Sequence, residues 1–309
     1  MNLAFVFPGQ GSHSVGMGRE LAQAMPAARH TFEEVDEALK QNLSRLIFEG
    51  PEEELILTEN AQPALMAVSL AVIRVLEQEA GLKLGEACAF VAGHSLGEYS
   101  ALAAARAFTL GDAARLLKRR GQAMQRAVPP GEGAMAALIG IGLAEATELA
   151  AAEAGDEVCV IANDNAPGQV VVSGARAAVE RVAERMGRKA IMLRVSAPFH
   201  CPLMEPAAEE MVEALEGITM APPVAPLVAN VTASAVSDPD TIRGLLVEQV
   251  TTMVRWRESV LYLKDHEVDT VVEVGAGKVL SGLTRRIDPE IDRLTVGAPG
   301  DIDALVKRL

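Results

Sequence analysis

Apolar and polar positions change period along this chain, and the changes separate strands from helices. Unbroken apolar runs at Leu3–Phe7 and 87–92, and the valine-rich Thr270–Val274, have the length and residue types of buried parallel strands. Helix-period segments lie between them, at 19–25, 27–41 and 61–79. Another runs from Asp112, placed to cap it, to about Val128, where Pro129-Pro130-Gly131 stops it. Helical patterns return at 207–215 and 241–250, and after the Gly275-Ala276-Gly277 turn to about Arg286; the amphipathic tail 302–309 closes the chain. Between 131 and 197 the order is strand 133–140, helix Leu143–Ala154, strands 158–162 and 170–173, helix 175–187 and strand 189–195. That β-α-β-β-α-β order is the ferredoxin-like split motif. The pattern therefore predicts an α/β fold: a larger domain with a parallel sheet, built from 1–130 and 198–309, and an inserted ferredoxin-like subdomain, 131–197. A cleft between two such units is a common place for a site.

The strand at 87–92 runs into Gly93-His94-Ser95-Leu96-Gly97, and the alanine-rich helix containing 101–105 follows. A serine between strand and helix in a G-x-S-x-G turn stands clear of the backbone, as in hydrolase-like folds. The helix start behind it offers unpaired N–H groups to a developing negative charge. The turn predicts acyl transfer through an ester on Ser95.

Composition narrows the partners. Half of the 309 residues are apolar but only 3% are aromatic, so little surface is left for stacking on bases or sugars. A net charge of -14 argues against nucleic acid, which needs a basic face. Cys88, Cys159 and Cys201 form neither a disulfide framework nor a metal-ligand spacing, so no metal is expected and a reduced, cytoplasmic setting fits. The N-terminal segment lacks a basic leader, and the apolar stretch 64–76, interrupted by Ser69 and Arg74, is too short to cross a bilayer. No membrane association is expected.

A nucleophilic serine needs a base, and the chain has five histidines. His30 and His266 sit in polar surroundings and read as surface residues. His94 adjoins Ser95 on too tight a turn to face it, and reads as support for the turn. His13 lies in a glycine-rich loop and stays open as a candidate. His200, held between Pro198 and Pro202 at the subdomain boundary, is the best base. Two backbone donors are needed for an oxyanion. Leu96 N–H follows the nucleophile, and Gln10, in Pro8-Gly9-Gln10-Gly11-Ser12 after the first strand, is the second candidate. That loop lacks the spacing of a dinucleotide fingerprint, and Gly275-Ala276-Gly277-Lys278 lacks that of a phosphate loop.

Phe7-Pro8-Gly9-Gln10-Gly11-Ser12, Gly93 to Tyr99, Arg119 to Met124, Ala197-Pro198-Phe199-His200, and Gln249 ahead of Val254-Arg255-Trp256 resemble, in order, the motifs of the malonyl-CoA:acyl carrier protein transacylases of fatty acid synthesis. The resemblance implies a ping-pong malonyl transfer: Ser95 as nucleophile, His200 as its base, Gln10 and Leu96 as oxyanion donors, Arg120 on the malonyl carboxylate, and the Gln249 carbonyl orienting His200. His13 stands where many members have glutamine. Coenzyme A thioesters and an acyl carrier protein are the implied partners, with no cofactor, and a monomer is expected. Arg119 reads as exposed. Because carriers are typically acidic, a local basic patch is expected from Arg115, Lys118, Arg119, Arg185, Arg188, Lys189, Lys278, Arg285 and Arg286. Alternatives are a transferase of a polyketide pathway, a serine thioesterase or esterase using water, and an inactive carrier-binding module.

Overall fold

The computed structural model describes Met1–Arg308, so Leu309, the last residue of the helical tail pattern, lies outside the described residues. Ten strands fall into two sheets. The larger contains β1 (Leu3–Phe7), β2 (Phe90–Gly93), β7 (Leu227–Ala229), β8 (Ser234–Val236), β9 (Thr270–Val274) and β10 (Asp292–Val296), in the order β10-β9-β1-β2-β7-β8. All its pairings are parallel except the β7–β8 hairpin. Helices cover it, giving the hydrolase-like α/β arrangement. The smaller sheet contains β3 (Gly133–Ile139), β4 (Cys159–Ala166), β5 (Gln169–Ala175) and β6 (Ala190–Met192), antiparallel in the order β4-β5-β3-β6. With helices Leu143–Ala154 and Arg176–Met186 it makes the ferredoxin-like unit.

All five residues of β1 are buried, which explains their uninterrupted apolar run. Helix Thr58–Ala80 is buried on nearly every side. The two polar interruptions of its apolar stretch 64–76 have partners: Ser69 Oγ donates to the Val274 carbonyl at 2.8 Å, and Arg74 pairs with Glu34 at 2.6 Å. A buried hydroxyl satisfied in this way costs the core little. No helix among the described residues is long and apolar enough to cross a membrane.

The smaller sheet is joined to the larger domain by hydrogen bonds as well as by chain connections, at the segment around Val254 that leads into helix Trp256–Asp265. Val254 N–H donates to the Ala162 carbonyl at 2.9 Å and Asp164 N–H to the Val254 carbonyl at 3.0 Å, while Arg257 pairs with Asp164 at 2.8 Å. β4 is irregular there, with register shifts between Ile161 and Asn163 and between Asp164 and Ala166. Such bulges re-aim side chains, and here they turn three polar residues, Asn163, Asp164 and Asn165, toward the larger sheet.

Several boundaries differ from the sequence reading. Thr109, not Asp112, caps helix Leu110–Ala127: its hydroxyl accepts from Asp112 N–H at 3.0 Å and donates to the Asp112 carboxylate at 2.6 Å. Ala87 ends a short helix, Leu84–Ala87, and β2 starts only at Phe90. β6 is confined to three residues, and Leu193, Arg194 and Val195 leave it to line a cavity. Strands β7, β8 and β10 and helix Trp256–Asp265 carried no pattern strong enough to be read.

Candidate active site

Phe7 and Gly93 are neighbours in register, so the loops after β1 and β2 leave the sheet side by side. The β2 loop is the serine turn. Ser95 has φ 53°, in the left-handed region that costs a non-glycine residue energy. The turn is also too tight for side chains at its glycines. A Cβ on Gly93 would lie 1.9 Å from the Gly97 carbonyl carbon, and one on Gly97 would lie 2.2 Å from the Phe7 carbonyl oxygen. Asn230, after β7, holds the turn from the other side: its Oδ1 accepts from Ser95 N–H at 2.8 Å and its Nδ2 donates to the Gly93 carbonyl at 2.7 Å.

Ser95 Oγ lies 2.8 Å from His200 Nε2, and His200 Nδ1 lies 2.8 Å from the Gln249 backbone carbonyl. A carbonyl only accepts, so Nδ1 carries the hydrogen and Nε2 is a bare acceptor facing the serine hydroxyl. No carboxylate takes part. Burial first, and then the Arg120 charge, push the His200 pKa down to about 3. The imidazole is therefore neutral at ordinary pH, and Nε2 is unprotonated and free to accept from the serine hydroxyl.

Arg120 projects from helix Leu110–Ala127 and is 1% exposed. Gly121 lets that helix approach closely, since a Cβ there would lie 2.5 Å from Glu59 Cα. Arg120 Nη1 donates to Gln62 Oε1 at 2.8 Å, and Nη2 to Gln249 Oε1 at 2.8 Å and to Ser95 Oγ at 3.3 Å. Its guanidinium lies 5.7 Å from the centre of the Tyr99 ring, and its Nε has no partner. Among the described residues no carboxylate pairs with it. A buried cation held by neutral amides is short of an anion, and an unpaired buried charge costs several kcal/mol. The site is thus set for a carboxylate arriving with a substrate.

The amides around Arg120 are themselves held. Gln62 Nε2 donates to Thr58 Oγ1 at 2.8 Å, and that hydroxyl donates to Gln10 Oε1 at 3.2 Å. The chain of bonds ties the arginine to the loop after β1. Neither Gln10 N–H nor Leu96 N–H has an intramolecular acceptor among the described residues. On the far side, Gln249 Nε2 donates to the Ser95 carbonyl at 2.9 Å and to the Glu98 carboxylate, whose other oxygen accepts from Asn230 N–H at 2.5 Å. Burial pushes Glu98 up to about 8, with the Asn230 and Gln249 hydrogen bonds and the Arg120 charge pulling the other way.

A cavity of about 250 Å³ opens on Ser95, His200, Arg120, Gln10 and Leu96. Met124, Met135, Leu193, Val195 and Phe199 give it an apolar lining, and Asn163 from β4 closes one side. A wider groove of about 810 Å³ contains none of these residues, and its Arg74 and Arg106 are paired with Glu34 and Glu77. His13 borders the smaller cavity, but the serine bonds to His200. His94 turns away from Ser95, with Nε2 2.9 Å from Asn165 Oδ1. His30 and His266 are exposed, and the three cysteines are free and buried.

Of the basic residues named from the sequence, four are already in ion pairs: Arg115 with Asp112, Lys118 with Glu59, Arg119 with Glu210 and Glu213, and Arg185 with Glu153. Arg188, Lys189, Lys278, Arg285 and Arg286 are exposed and in no ion pair among the described residues. Gln62, Glu98, Asn165 and Asn230 were not singled out from the sequence. Apart from the Gln62–Thr58 bond, their partners given above lie 58 to 151 residues away, and no local pattern marks such contacts.

The acyl transferase domain family matches residues 4–286. The malonyl CoA-acyl carrier protein transacylases of Bacillus subtilis and Escherichia coli K12 are 43% and 44% identical to the chain, each over 99% of it and over 97% and 98% of their own lengths. The crystal structure of an acyl-carrier-protein S-malonyltransferase from Bartonella henselae superposes with a TM-score of 0.97 at 52% identity, covering 100% of this chain and 99% of that one. A malonyl-transacylase solved in complex with a type II PKS acyl-carrier protein has a TM-score of 0.96 at 40% identity, with full coverage of both chains.

Proposed function

The chain belongs to the acyl transferase family, and on that premise we propose that it carries out the malonyl transfer of fatty acid synthesis, from malonyl-CoA to acyl carrier protein, through an ester on Ser95. The observation that carries this reading is the meeting of an unprotonated imidazole nitrogen and a carboxylate-free guanidinium on one serine oxygen, at 2.8 Å and 3.3 Å.

In the first half-reaction His200 Nε2 takes the proton of Ser95 Oγ as that oxygen attacks the thioester carbonyl carbon. The negative charge on the carbonyl oxygen falls to the free N–H groups of Leu96 and Gln10. The tetrahedral carbon then releases the coenzyme A thiolate, which takes the proton from His200. In the second half-reaction the pantetheine thiol of the carrier gives its proton to His200 and attacks the Ser95 ester. Collapse returns the proton to Ser95 Oγ. A thiolate leaves readily, so the step needs less basicity than amide cleavage, which suits a histidine oriented by a neutral carbonyl rather than by a carboxylate. No cofactor enters either half.

Arg120 selects the acyl group. The malonyl carboxylate supplies the anion its guanidinium lacks, with bonds of charge-assisted strength. An acetyl group leaves the charge unpaired. For the acidic carrier, the exposed cations free of ion pairs lie on both sides of the cleft. Arg188 and Lys189 precede β6, which leads into the cavity wall, and Lys278 adjoins Gly277, which packs on Ser12 of the Gln10 loop.

Mass spectrometry of the protein mixed with malonyl-CoA tests the reading. The expected result is a malonyl adduct on Ser95 that carrier protein discharges. Steady release of malonate without carrier would mark a thioesterase instead, and no adduct at all would mark a binding module.

A further inference from the structure

Glu98 lies three residues after the nucleophile, in the first turn of helix Gly97–Ala104, and is 1% exposed. It enters none of the proton transfers above. No lysine or arginine pairs with it among the described residues. Its oxygens accept instead from two groups that both grip the serine turn: Asn230 N–H at 2.5 Å and the Gln249 side-chain amide.

The Gln249 side chain has two ends, and they are not interchangeable here. Its Nε2 faces two acceptors, Glu98 and the Ser95 carbonyl, while its Oε1 faces the Arg120 guanidinium. Both Glu98 oxygens meet N–H donors, and among the described residues neither meets an acceptor that could take an acid proton, so these hydrogen bonds hold the group as a carboxylate against the upward push of burial. A carboxylate offers acceptors only, and a guanidinium donors only. Flipping the amide would set its oxygen against two oxygens and its NH2 against Arg120. Glu98 therefore fixes which end of Gln249 meets the arginine. That bond, with the one from Gln62, sets the plane and position of the guanidinium beside Ser95.

We propose that Glu98 is a positioning residue for malonyl transfer: its carboxylate locks the Gln249 side-chain amide and through it aims Arg120 at the substrate carboxylate. The proposal rests on Arg120 being the carboxylate clamp. Glutamine at position 98 has the same shape, but it cannot accept at both ends. Its NH2 must face either Asn230 N–H or Gln249 Nε2, and relief comes from turning Gln249 over, which withdraws Oε1 from Arg120.

The test is the ratio of kcat/KM for malonyl-CoA loading to that for acetyl-CoA loading, read with thermal midpoints. Glu98→Gln is expected to lower the ratio about tenfold, the size of one lost charge-assisted bond, mainly through the KM for malonyl-CoA. Glu98→Asp keeps two acceptors and recovers part of the ratio. Gln249→Ala also lowers the ratio, and adding Glu98→Gln to it lowers the ratio no further. Equal losses for both acyl groups, or additive effects in the double variant, would overturn the proposal and leave Glu98 a purely structural residue. Arg120→Ala separates the two layers. If it abolishes the ratio while Glu98→Gln keeps it, the Glu98 proposal fails alone; if it keeps the ratio, the clamp fails and the proposal with it. Should Glu98→Gln not fold, Glu98→Asp decides by itself: a partial fall in the ratio supports the proposal and a wild-type ratio refutes it.

Discussion

Ser95 and His200 stand 105 residues apart, both hold left-handed backbone angles, φ 53° and 57°, and their side chains meet at 2.8 Å. Each angle is unfavourable for a residue with a Cβ, and each is imposed by neighbours that leave no alternative. Around Ser95 the constraint is the contact of Gly93 and Gly97 with backbone; around His200 it is the loop between Pro198 and Pro202 and the bond to the Gln249 carbonyl. Removing the serine hydroxyl leaves these constraints in place. Ser95→Ala is therefore expected to fold normally, to form no acyl adduct, and to lose at least about 10⁴-fold in kcat. Adduct formation by this variant at the wild-type rate would place the nucleophile elsewhere.

The turn itself is sensitive to one added carbon. Gly97→Ala sets a Cβ 2.2 Å from the Phe7 carbonyl oxygen, and backbone cannot give way as a side chain can. We expect a loss of about 1–3 kcal/mol in unfolding free energy, together with a larger loss of acyl loading because Ser95 moves with the helix start. Denaturant unfolding and adduct kinetics on one preparation check both. A variant with wild-type loading would show that the serine is positioned by something other than this contact.

Arg120→Ala removes the guanidinium that donates to Ser95 Oγ. Two charge-assisted hydrogen bonds of about 1.5–3 kcal/mol each correspond to a fall of roughly 100-fold or more in malonyl loading. Acetyl loading changes far less. Parallel losses for the two substrates would refute selection by charge.

His200 works as a base only when unprotonated. Burial and then the Arg120 charge lower its pKa to about 3, so the acid limb of kcat/KM is expected well below pH 6.5. Arg120→Leu removes the second cause. The limb should then move to higher pH, toward 6.5, when followed with acetyl-CoA, whose loading needs no carboxylate clamp. A wild-type limb near 6.5 that ignores the substitution would contradict this account of the histidine.

Carrier recognition is expected to depend on the cations that no carboxylate neutralises. Lys189→Glu and Lys278→Glu should raise the KM for carrier protein several-fold and weaken its salt dependence. Arg115→Glu and Arg119→Glu, whose wild-type side chains are already paired, should change it less. The reverse ordering would place the docking face along helix Leu110–Ala127.

What the sequence disclosed follows from range of interaction. β1, β9 and helix Leu143–Ala154 have the boundaries read from pattern alone, because burial on one face or both writes a local period. The serine turn is legible for the same reason: its glycines answer clashes within a few residues and with the adjacent loop. β10, at a sheet edge, grades from exposed Asp292 through three half-buried residues to buried Val296 with no alternation, and β7 and β8 have three residues each, too few to establish a period. Thr109 was passed over because either it or Asp112 could cap on composition, and only geometry shows which hydroxyl or carboxylate faces the free N–H. Gln249 was reached through resemblance. Its two separate duties, a backbone carbonyl on His200 and a side-chain amide between Arg120 and Glu98, depend on residues brought from 49, 129 and 151 positions away.

The bonds between β4 and the Val254 strand segment bear on how a substrate gets in. Swinging the ferredoxin-like unit away from the larger sheet would break Val254 N–H to Ala162, Asp164 N–H to Val254 and the Arg257–Asp164 pair together, and would pull Asn165 off His94 beside the nucleophile. Clamshell opening would thus cost several hydrogen bonds at once and free the His94 side chain next to the nucleophile. Entry is therefore expected along the slot between the units, by an arm as long and thin as pantetheine, without the units parting.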